Sequence, residues 1–374
     1  MPHDPYKALY IHLPFCVRRC GYCDFATEAV PAASPAIDEY VEGLVLELRR
    51  KSREGELGAI ETAYLGGGTP SHVGAARLTS LLYALSTSMR LEPDVECTME
   101  ANPESLTGPL VRDVWALGVN RLSLGVQSFD DEVLALLGRA HGADDALAAL
   151  EAARERFDNV SVDLMCGIPG QSDESFSASV QAAVAAGAKH VSVYPLTIER
   201  GTPFAKAVRR GSLPEPDDDA AARHMQMAAR LLGEAGFRRY EVASYALPGY
   251  ESRHNTAYWS GVPYLGLGAS AVTMTQNGDR RMRVRDGRVE DDLDAAQMAA
   301  EDLMLAMRMA RGVPKGRVDA LGEGGPLAQA PAAFERLQQR GLVRLDGEDG
   351  RWKPTERGWL CGNELYGELF DLAP

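Results

Sequence analysis

Residues 10–23 read YIHLPFCVRRCGYC and hold three of the six cysteines of the chain, Cys16, Cys20 and Cys23. Thiols this close together are typical of side chains that wrap one inorganic centre. A structural zinc ion takes four protein ligands, and neither a CxxC pair nor a nearby histidine pair elsewhere in the sequence completes such a set. A four-iron cluster held by three thiolates leaves one iron open to a small molecule, and we expect this kind of centre here.

Two simpler interpretations of the three cysteines exist. A disulfide would leave one of them unpaired, and nothing in the sequence suggests an oxidising compartment. Free cysteines are also common as small buried residues, but three at this spacing would be a coincidence. We assign that ordinary role to the remaining cysteines, Cys97, Cys166 and Cys361.

Composition narrows the class of protein. The 374 residues include 53 acidic and 39 basic side chains, which give a formal net charge of −14. This balance excludes a general attraction to nucleic acid or to anionic membranes. The first residues have neither a basic nor an apolar leader segment, and no apolar run reaches the roughly 18 residues of a membrane-spanning helix. We therefore expect a cytoplasmic protein with no nucleic-acid partner and no membrane span.

The first two thirds of the chain alternate between strand and helix patterns. Predicted strands span residues 7–12, 60–65, 95–100, 121–126, 160–164 and 190–196, and predicted helices span 37–53, 75–88, 110–117, 144–156, 175–186 and 220–235. Such alternation is typical of parallel βαβ units in an α/β fold. Ligands collect at the carboxyl ends of the strands both in barrels and in doubly wound open sheets. The cysteine motif, rather than the alternation, favours a partial TIM barrel of about six βα units.

The pattern changes after residue 236. The sequence predicts a strand at 237–242, a hairpin at 281–289, helices at 294–311, 332–340 and 355–370, and a β-wing at 342–352. The order helix, helix, wing, helix resembles a winged-helix module, although this segment is not clearly basic and we expect no DNA binding. We therefore divide the chain into a barrel, residues 1–240, and a C-terminal α+β module, residues 241–374.

The aromatic Tyr22 directly before the last cysteine gives the pattern Cx3CxΦC, where Φ is aromatic. This pattern resembles the signature of the radical S-adenosylmethionine (SAM) superfamily. The resemblance implies a 4Fe–4S cluster whose open iron is chelated by the amino and carboxylate groups of SAM. It also implies that an electron from the cluster breaks the sulfonium C–S bond and releases a 5′-deoxyadenosyl radical.

The same resemblance assigns SAM contacts along the barrel. The loop GGGTP at residues 66–70 resembles the segment that binds the amino end of SAM, and Glu100 would accept hydrogen bonds from the ribose hydroxyls. The cofactor-binding residues implied in this way are Tyr10, Tyr22, Asp24, Gly67, Gly68, Thr69, Glu100, Gln127, Arg139 and Asp163. Without this resemblance, the glycine loop is equally well explained as a structural turn, and the charged residues of this set as helix caps or salt-bridge partners.

Within the superfamily, the motifs resemble the branch that contains oxygen-independent coproporphyrinogen III oxidase and the heme chaperone HemW. Three features favour the chaperone. Only 15 residues precede Cys16, Asp24 and Phe25 follow Cys23 where the oxidase has a further cysteine, and the chaperone motif HNxxYW is present at residues 254–259. The oxidase, which decarboxylates porphyrinogen propionates, is the alternative, and a radical SAM methyltransferase is a third.

The chaperone branch implies heme as a ligand. His254 is the best candidate for an axial ligand, and Tyr258 and Trp259 could flank the macrocycle. The simpler interpretation is that this cluster packs the junction between barrel and C-terminal module. The arginines at 253, 281, 283 and 285 could pair with propionates or could form an exposed hairpin face. The partners expected are an unknown heme-accepting protein, an electron donor for the cluster and, in a homodimer, a second copy of the chain.

Overall fold

The computed structural model describes residues 5–373. The N-terminal residues 1–4, on which the expectation of a missing leader segment rests, lie outside this range. Six parallel strands form the centre of the structure and follow one another in chain order. They span Tyr6–Leu13, Leu57–Gly67, Arg90–Ala101, Arg121–Gln127, Asn159–Cys166 and His190–Pro195. The α/β partial barrel of six βα units that the sequence predicts is confirmed.

Helices connect the barrel strands and pack on the outside of the sheet. They span Pro35–Arg53, Ala75–Ser88, Gly108–Ala116, Ala143–Arg154, Asp173–Ala185 and Asp218–Glu234. Residues three or four apart on one face, such as Ile37, Val41 and Leu44, are buried against the strands, as an amphipathic pattern requires. Among residues 5–373, no helix combines the length and the apolar character needed to cross a membrane.

Two helices that the sequence did not predict hold the cysteine loop. Asp131–Leu137 follows the fourth barrel strand and Pro203–Arg209 follows the sixth. The Gly21 N–H donates to the Leu137 carbonyl at 3.4 Å, and the Phe204 N–H donates to the Gly21 carbonyl at 2.9 Å. The absence of a side chain at Gly21 permits this close approach, because a Cβ there would lie 2.4 Å from the Phe204 ring and would force the ring to move.

The barrel strands alternate apolar and polar side chains. In Asn159–Cys166, Val160, Val162 and Leu164 belong to the core under the helices, whereas Ser161 and Asp163 point to the barrel interior. The interior of a closed TIM barrel is typically filled with branched apolar residues. The interior of this barrel is polar instead, and that property determines much of the site chemistry.

The barrel sheet continues at both edges. Tyr264–Leu267 pairs in parallel with the first barrel strand, and Val272–Asn277, Arg280–Arg285 and Arg288–Leu293 extend this edge in antiparallel fashion. Ser244–Ala246 and Arg238–Arg239 extend the other edge. The predicted strand at 237–242 is thus reduced to two residues, because the chain turns between the Tyr240 N–H and the Ser244 carbonyl. Within residues 5–373 the two edges do not pair, so the barrel is open.

The C-terminal module has its own core. Helices Ala295–Met307, Lys315–Gly322, Ala330–Gln339, Glu356–Leu360 and Gly362–Phe370 surround a small sheet of Val313–Pro314, Arg351–Pro354 and Val343–Asp346. The predicted wing is present, but the predicted helix 355–370 breaks at Cys361, where Gly362 weakens a continuous helix. Strands 264–293 belong to the barrel sheet, so the sheet ends later than residue 240, and the domain boundary stays a prediction.

Phe334 is the buried aromatic at the centre of this second core, where its ring lies 5.5 Å from that of Trp352. Phe334→Ala should lower the free energy of unfolding by about 3–5 kcal/mol, because a buried ring leaves a cavity. Phe370→Ala is the matched control. Because Phe370 is 47% exposed, its replacement should lower the free energy of unfolding by less than about 1 kcal/mol. Urea unfolding followed by circular dichroism measures both, and equal losses would contradict this placement of the core.

Candidate functional site

One cavity of about 360 Å³ at the carboxyl ends of the barrel strands collects most of the residues that the sequence singles out. They are Cys16, Cys20, Tyr22, Cys23, Gly67, Gly68, Thr69, Glu100, Gln127, Arg139 and Asp163. The volume lies in the range of small-molecule sites. Tyr10 and Asp24 are not among the lining residues: Tyr10 hydrogen-bonds to His12 behind the cavity, and Asp24 is exposed.

Two of the three thiols have a polar partner across the cavity. The Thr69 hydroxyl lies 3.4 Å from Cys16 Sγ, and Arg139 Nη1 lies 3.5 Å from Cys20 Sγ. Asn102 joins these two partners, because its Nδ2 donates to Thr69 Oγ1 at 2.9 Å and its Oδ1 accepts from Arg139 Nη2 at 2.7 Å. The cysteine loop is thereby tied to the second, third and fourth barrel strands. Sequence reasoning did not assign Asn102 a role, although it directly follows the third strand.

The thiols stand in a partly buried environment. Burial raises the pKa of the Cys16 thiol, while the Thr69 hydroxyl and the Arg139 guanidinium act in the opposite direction. Burial also raises the pKa of the Cys23 thiol. A metal centre takes its ligands as thiolates, so loading of such a centre releases protons and is favoured as the pH rises.

The glycine loop lies directly against the start of the cysteine loop. Gly67 has φ +112°, a conformation that favours glycine, and a Cβ there would lie 2.4 Å from the His12 ring. A Cβ on Gly68 would lie 2.8 Å from the Pro14 backbone. The N–H groups of Gly68 and Thr69 donate to the carbonyls of residues 13 and 15 at 2.9 and 2.8 Å. The loop is therefore both a structural turn and part of the cavity wall.

His12 connects the first barrel strand to the far end of the cysteine loop. Its Nδ1 accepts from the Tyr10 hydroxyl at 3.0 Å, and its Nε2 donates to the Ala26 carbonyl at 2.9 Å. These partners leave the ring neutral, and burial lowers the pKa of His12. His12 is thus positioned to hold the cysteine loop in place, and it does not line the cavity.

Glu100 is the carboxylate at the base of the cavity. It accepts hydrogen bonds from the Tyr64 hydroxyl at 2.8 Å and from the Gly67 N–H at 3.0 Å. Burial raises the pKa of Glu100 to about 7, although these two donors oppose the shift. Its charge near neutral pH therefore depends on the groups around it.

The next two strands add further polar groups. Ser123 Oγ lies 3.2 Å from one Asp163 oxygen, and burial raises the pKa of Asp163. Gln127 ends the fourth strand with φ +69°, which non-glycine residues rarely adopt. Such strained backbone is common at functional sites, and it places the amide at the cavity.

The HNxxYW motif forms a short helix, Arg253–Trp259, which we call the motif helix. The N–H groups of Arg253 and His254 each donate at 3.0 Å to the buried Glu96 carboxylate. Negative charge at a helix N-terminus is stabilising. Because Glu96 lies four residues before Glu100 on the third strand and lines a separate groove, the motif helix lies at the floor of the barrel, opposite the cysteine cavity.

His254 of the motif is buried in the barrel, and Tyr258 and Trp259 are partly buried beside it. The His254 ring is 1% exposed, its Nδ1 lies 2.9 Å from Thr62 Oγ1, and it stacks on Tyr64 at 5.1 Å. Tyr258 contacts this ring edge-on, and the Trp259 indole N–H donates to Glu241 at 3.1 Å. Nε2 of His254 has no hydrogen-bond partner among the described residues. The three residues do not reach the cysteine cavity, and their role toward heme stays a prediction.

Comparison with known proteins decides the family. A model of the radical SAM superfamily matches residues 10–183, and a model of the HemN C-terminal domain matches residues 293–361. The heme chaperone HemW of Mycobacterium tuberculosis H37Rv is 40% identical over 336 residues, which cover 86% of each chain. This chain belongs to the heme chaperone HemW family.

Two further comparisons agree with this assignment. HemW of Escherichia coli K12 is 34% identical over 98% of both chains. The solved structure of coproporphyrinogen III oxidase (HemN) from Escherichia coli, described as a radical SAM enzyme, superimposes with a TM-score of 0.79 and covers 100% of this chain and 90% of that one. At 21% identity this likeness establishes the fold. The family that the cysteine loop and the HNxxYW motif predict is confirmed.

The arginines considered for heme propionates in this HemW relative are already paired. Arg281 is fully buried between Glu301 and Asp302, at 2.6 and 2.8 Å, and Arg283 pairs with Glu301 and Asp291. Arg253 and Arg285 make salt bridges to Asp94 and Glu290. The pairs with Glu301 and Asp302 hold an edge strand against helix Ala295–Met307 of the C-terminal module. The Arg285 pair lies within the edge hairpin, and the Arg253 pair joins the motif helix to the third barrel strand. A structural role therefore accounts for all four side chains.

Glu100→Gln should make the stability of the ligand-free protein less dependent on pH. Because the pKa of Glu100 is about 7 when folded and near 4.5 in its ordinary state, the folded chain holds the extra proton between these values. Wild-type stability therefore falls as the pH rises from about 4.5 to about 7. Relative to wild type, the free energy of unfolding of Glu100→Gln should rise by about 2–3 kcal/mol between pH 5 and pH 8.

Urea unfolding at a series of pH values measures this difference. Glu39→Gln, at an exposed position of the first helix, serves as the control and should shift stability by the same small amount at every pH. Parallel pH curves for wild type and Glu100→Gln would contradict the assignment of a raised pKa to Glu100.

Proposed function

We propose that this chain binds a 4Fe–4S cluster and SAM in the cysteine cavity and carries heme to an acceptor protein. The observation that carries the proposal is the convergence of Cys16, Cys20 and Cys23 with the predicted SAM residues in one cavity, in a chain 40% identical to a heme chaperone. Three thiolates and an adjoining polar cavity match a cluster that keeps one iron open.

The donor set of the cavity fits both groups. The three thiols would hold the cluster, with Thr69 and Arg139 placed to donate hydrogen bonds to sulfur. When bound, such a cluster supplies an open coordination position and an electron. Glu100 and Asp163 present carboxylates to the cavity, which suit the hydroxyl and ammonium donors of SAM.

The mouth of the cavity favours a flat anionic ligand. Phe25 lines the cavity and is 64% exposed, and the exposed Arg18 and Arg19 lie beside it without a salt bridge to any residue in the range 5–373. This combination suits an apolar macrocycle with propionates. The groove of about 690 Å³ at the barrel floor is less suitable, because four carboxylates line it.

His254 is the alternative heme contact that the sequence predicts. Its Nε2 has no partner among the described residues but is enclosed, so the ring could ligate heme iron only in a conformation that exposes it. The further parts of the proposal are a cytoplasmic location, a heme-accepting protein, an electron donor for the cluster, and a homodimer.

Anaerobic reconstitution tests the cluster. Wild-type protein should take up about four irons per chain, by the cluster type proposed, and Cys20→Ala should lose most of them because one thiolate ligand is gone. Cys361→Ala is the matched control, since Cys361 lies outside the cavity, and it should load as wild type. Full iron loading of Cys20→Ala would overturn the cluster assignment.

A hemin titration followed by absorbance tests whether the protein binds heme. We expect wild type to bind hemin. If the propionates lie at the cavity mouth, the double variant Arg18→Ala, Arg19→Ala should bind hemin more weakly. His254→Gln shifts the heme absorption band only if His254 is an axial ligand. Thr62→Val, which removes the Nδ1 partner and keeps the imidazole, is its control. Failure of wild type to bind hemin would contradict the chaperone proposal.

The coproporphyrinogen oxidase alternative has a direct assay. Incubation of the anaerobic, reconstituted protein with coproporphyrinogen III, SAM and a reductant should yield no protoporphyrinogen above background. Formation of that product would replace the chaperone proposal with a decarboxylase.

A further inference from the structure

Arg121 is a buried charge with no direct partner. It lies on the inward face of the fourth barrel strand and is 2% exposed. Its guanidinium forms no hydrogen bond or salt bridge with any residue between 5 and 373, and its Nε is fully enclosed. An ionised group in this position is costly unless something compensates it, so Arg121 requires an explanation beyond packing.

The strand register places Arg121 directly beneath the proposed SAM site. Arg121 pairs with Thr98, and two residues further along the same strands Ser123 pairs with Glu100. Ser123 in turn hydrogen-bonds to Asp163. Side chains two residues apart share one face of a strand. The guanidinium therefore lies one pleat below the two carboxylates that face the cavity.

Other titratable groups face Arg121 from every neighbouring element. They are Tyr64, Glu100, Asp163, His190, Tyr240 and His254. Burial lowers the pKa of both histidines, to about 3 for His254, and raises that of both tyrosines, so these four groups are neutral near pH 7. Glu96 is held by the motif helix. The carboxylates that remain to balance Arg121 are Glu100 and Asp163, and Arg139 also acts on Asp163.

We propose that Arg121 is a positioning residue for SAM, whose charge, one pleat below the cavity, favours the ionised forms of Glu100 and Asp163. Ionised carboxylates accept stronger hydrogen bonds from hydroxyl and ammonium donors than neutral ones do. A bound anion would not fit this place, because Glu96, Glu100 and Asp163 surround it with negative charge. The inference rests on the proposed function of the cavity.

The direction in which Arg121 shifts the pKa of Glu100 agrees with this role. The pKa of Glu100 is raised by burial, and Arg121 is one of the groups that oppose the rise. Removal of the guanidinium should therefore leave Glu100 protonated to a higher pH. If the midpoint rises from about 7 by about one unit, the ionised fraction at pH 7 falls about fivefold.

Calorimetric titration of SAM into the anaerobically reconstituted protein, between pH 6 and pH 9, tests the proposal. Arg121→Met should bind SAM about fivefold more weakly at pH 7 and recover affinity at higher pH. Arg121→Lys keeps the charge and should follow the wild-type pH profile. Circular dichroism and iron content identify a variant that has failed to fold, and in that case Arg121→Gln replaces Arg121→Met.

A double variant separates a charge effect from a packing effect. In a Glu100→Gln background, Arg121→Met should have a smaller effect on the pH profile, because one of the two carboxylates through which it acts no longer ionises. An unshifted pH profile in Arg121→Met, or an undiminished effect in the Glu100→Gln background, would overturn the role of Arg121.

The outcome also separates this inference from the proposed function. If wild-type protein loads iron but binds no SAM, the proposed function fails by that result. The action of Arg121 on Glu100 is then measured in the ligand-free protein, where Arg121→Met should extend the fall in stability to higher pH. An unchanged pH dependence of unfolding would reject the inference independently of SAM.

Discussion

The hydrogen bonds of Asn102 are the constraint on which the site depends. This one side chain receives the Arg139 guanidinium and donates to the Thr69 hydroxyl, and each of these partners faces a thiol, Cys20 or Cys16. A loop of exposed residues would otherwise be free to adopt many conformations, at a large entropic cost for any ordered centre. The network therefore fixes Cys16 and Cys20 relative to each other and to the second and third barrel strands.

The polar interior of the barrel connects this site to the floor. The Tyr64 hydroxyl donates to Glu100 in the cavity, and the Tyr64 ring stacks on His254 of the motif helix. The motif helix is in turn held by Glu96. In a barrel with an apolar interior these groups would be too costly to bury without partners. The cavity and the HNxxYW motif are thus parts of one packed polar column, although they lie at opposite ends of the strands.

The sequence predicted the barrel well because its signals are local. The 3.6-residue spacing of Ile37, Val41 and Leu44 and the glycines after strands each reflect a geometry fixed by neighbouring residues. The packing of the HNxxYW cluster was one of two interpretations, but the partners of His254 could not be predicted, because Glu96 and Tyr64 lie more than 150 residues away. For the same reason the sequence did not indicate that strands 264–293 join the barrel edge.

Some functional residues that the sequence analysis did not identify could have been found from the residue pattern of their strands. The strand sequences RLSLGVQ and NVSVDLM alternate polar and apolar residues where a fully buried parallel strand normally reads as a continuous apolar run. This alternation indicates a polar barrel interior and would have identified Arg121 and Ser123 as candidates. The role of Asn102 was harder to predict, because an asparagine before a proline is also typical of a simple turn.

The most direct test of the account is electron paramagnetic resonance of the reduced, reconstituted protein with and without SAM. If the three cysteines hold a cluster whose open iron faces the cavity, added SAM should change the spectrum of the reduced cluster, because a new ligand alters the environment of one iron. A cluster that loads about four irons and gives the same spectrum in the presence of excess SAM would contradict the account.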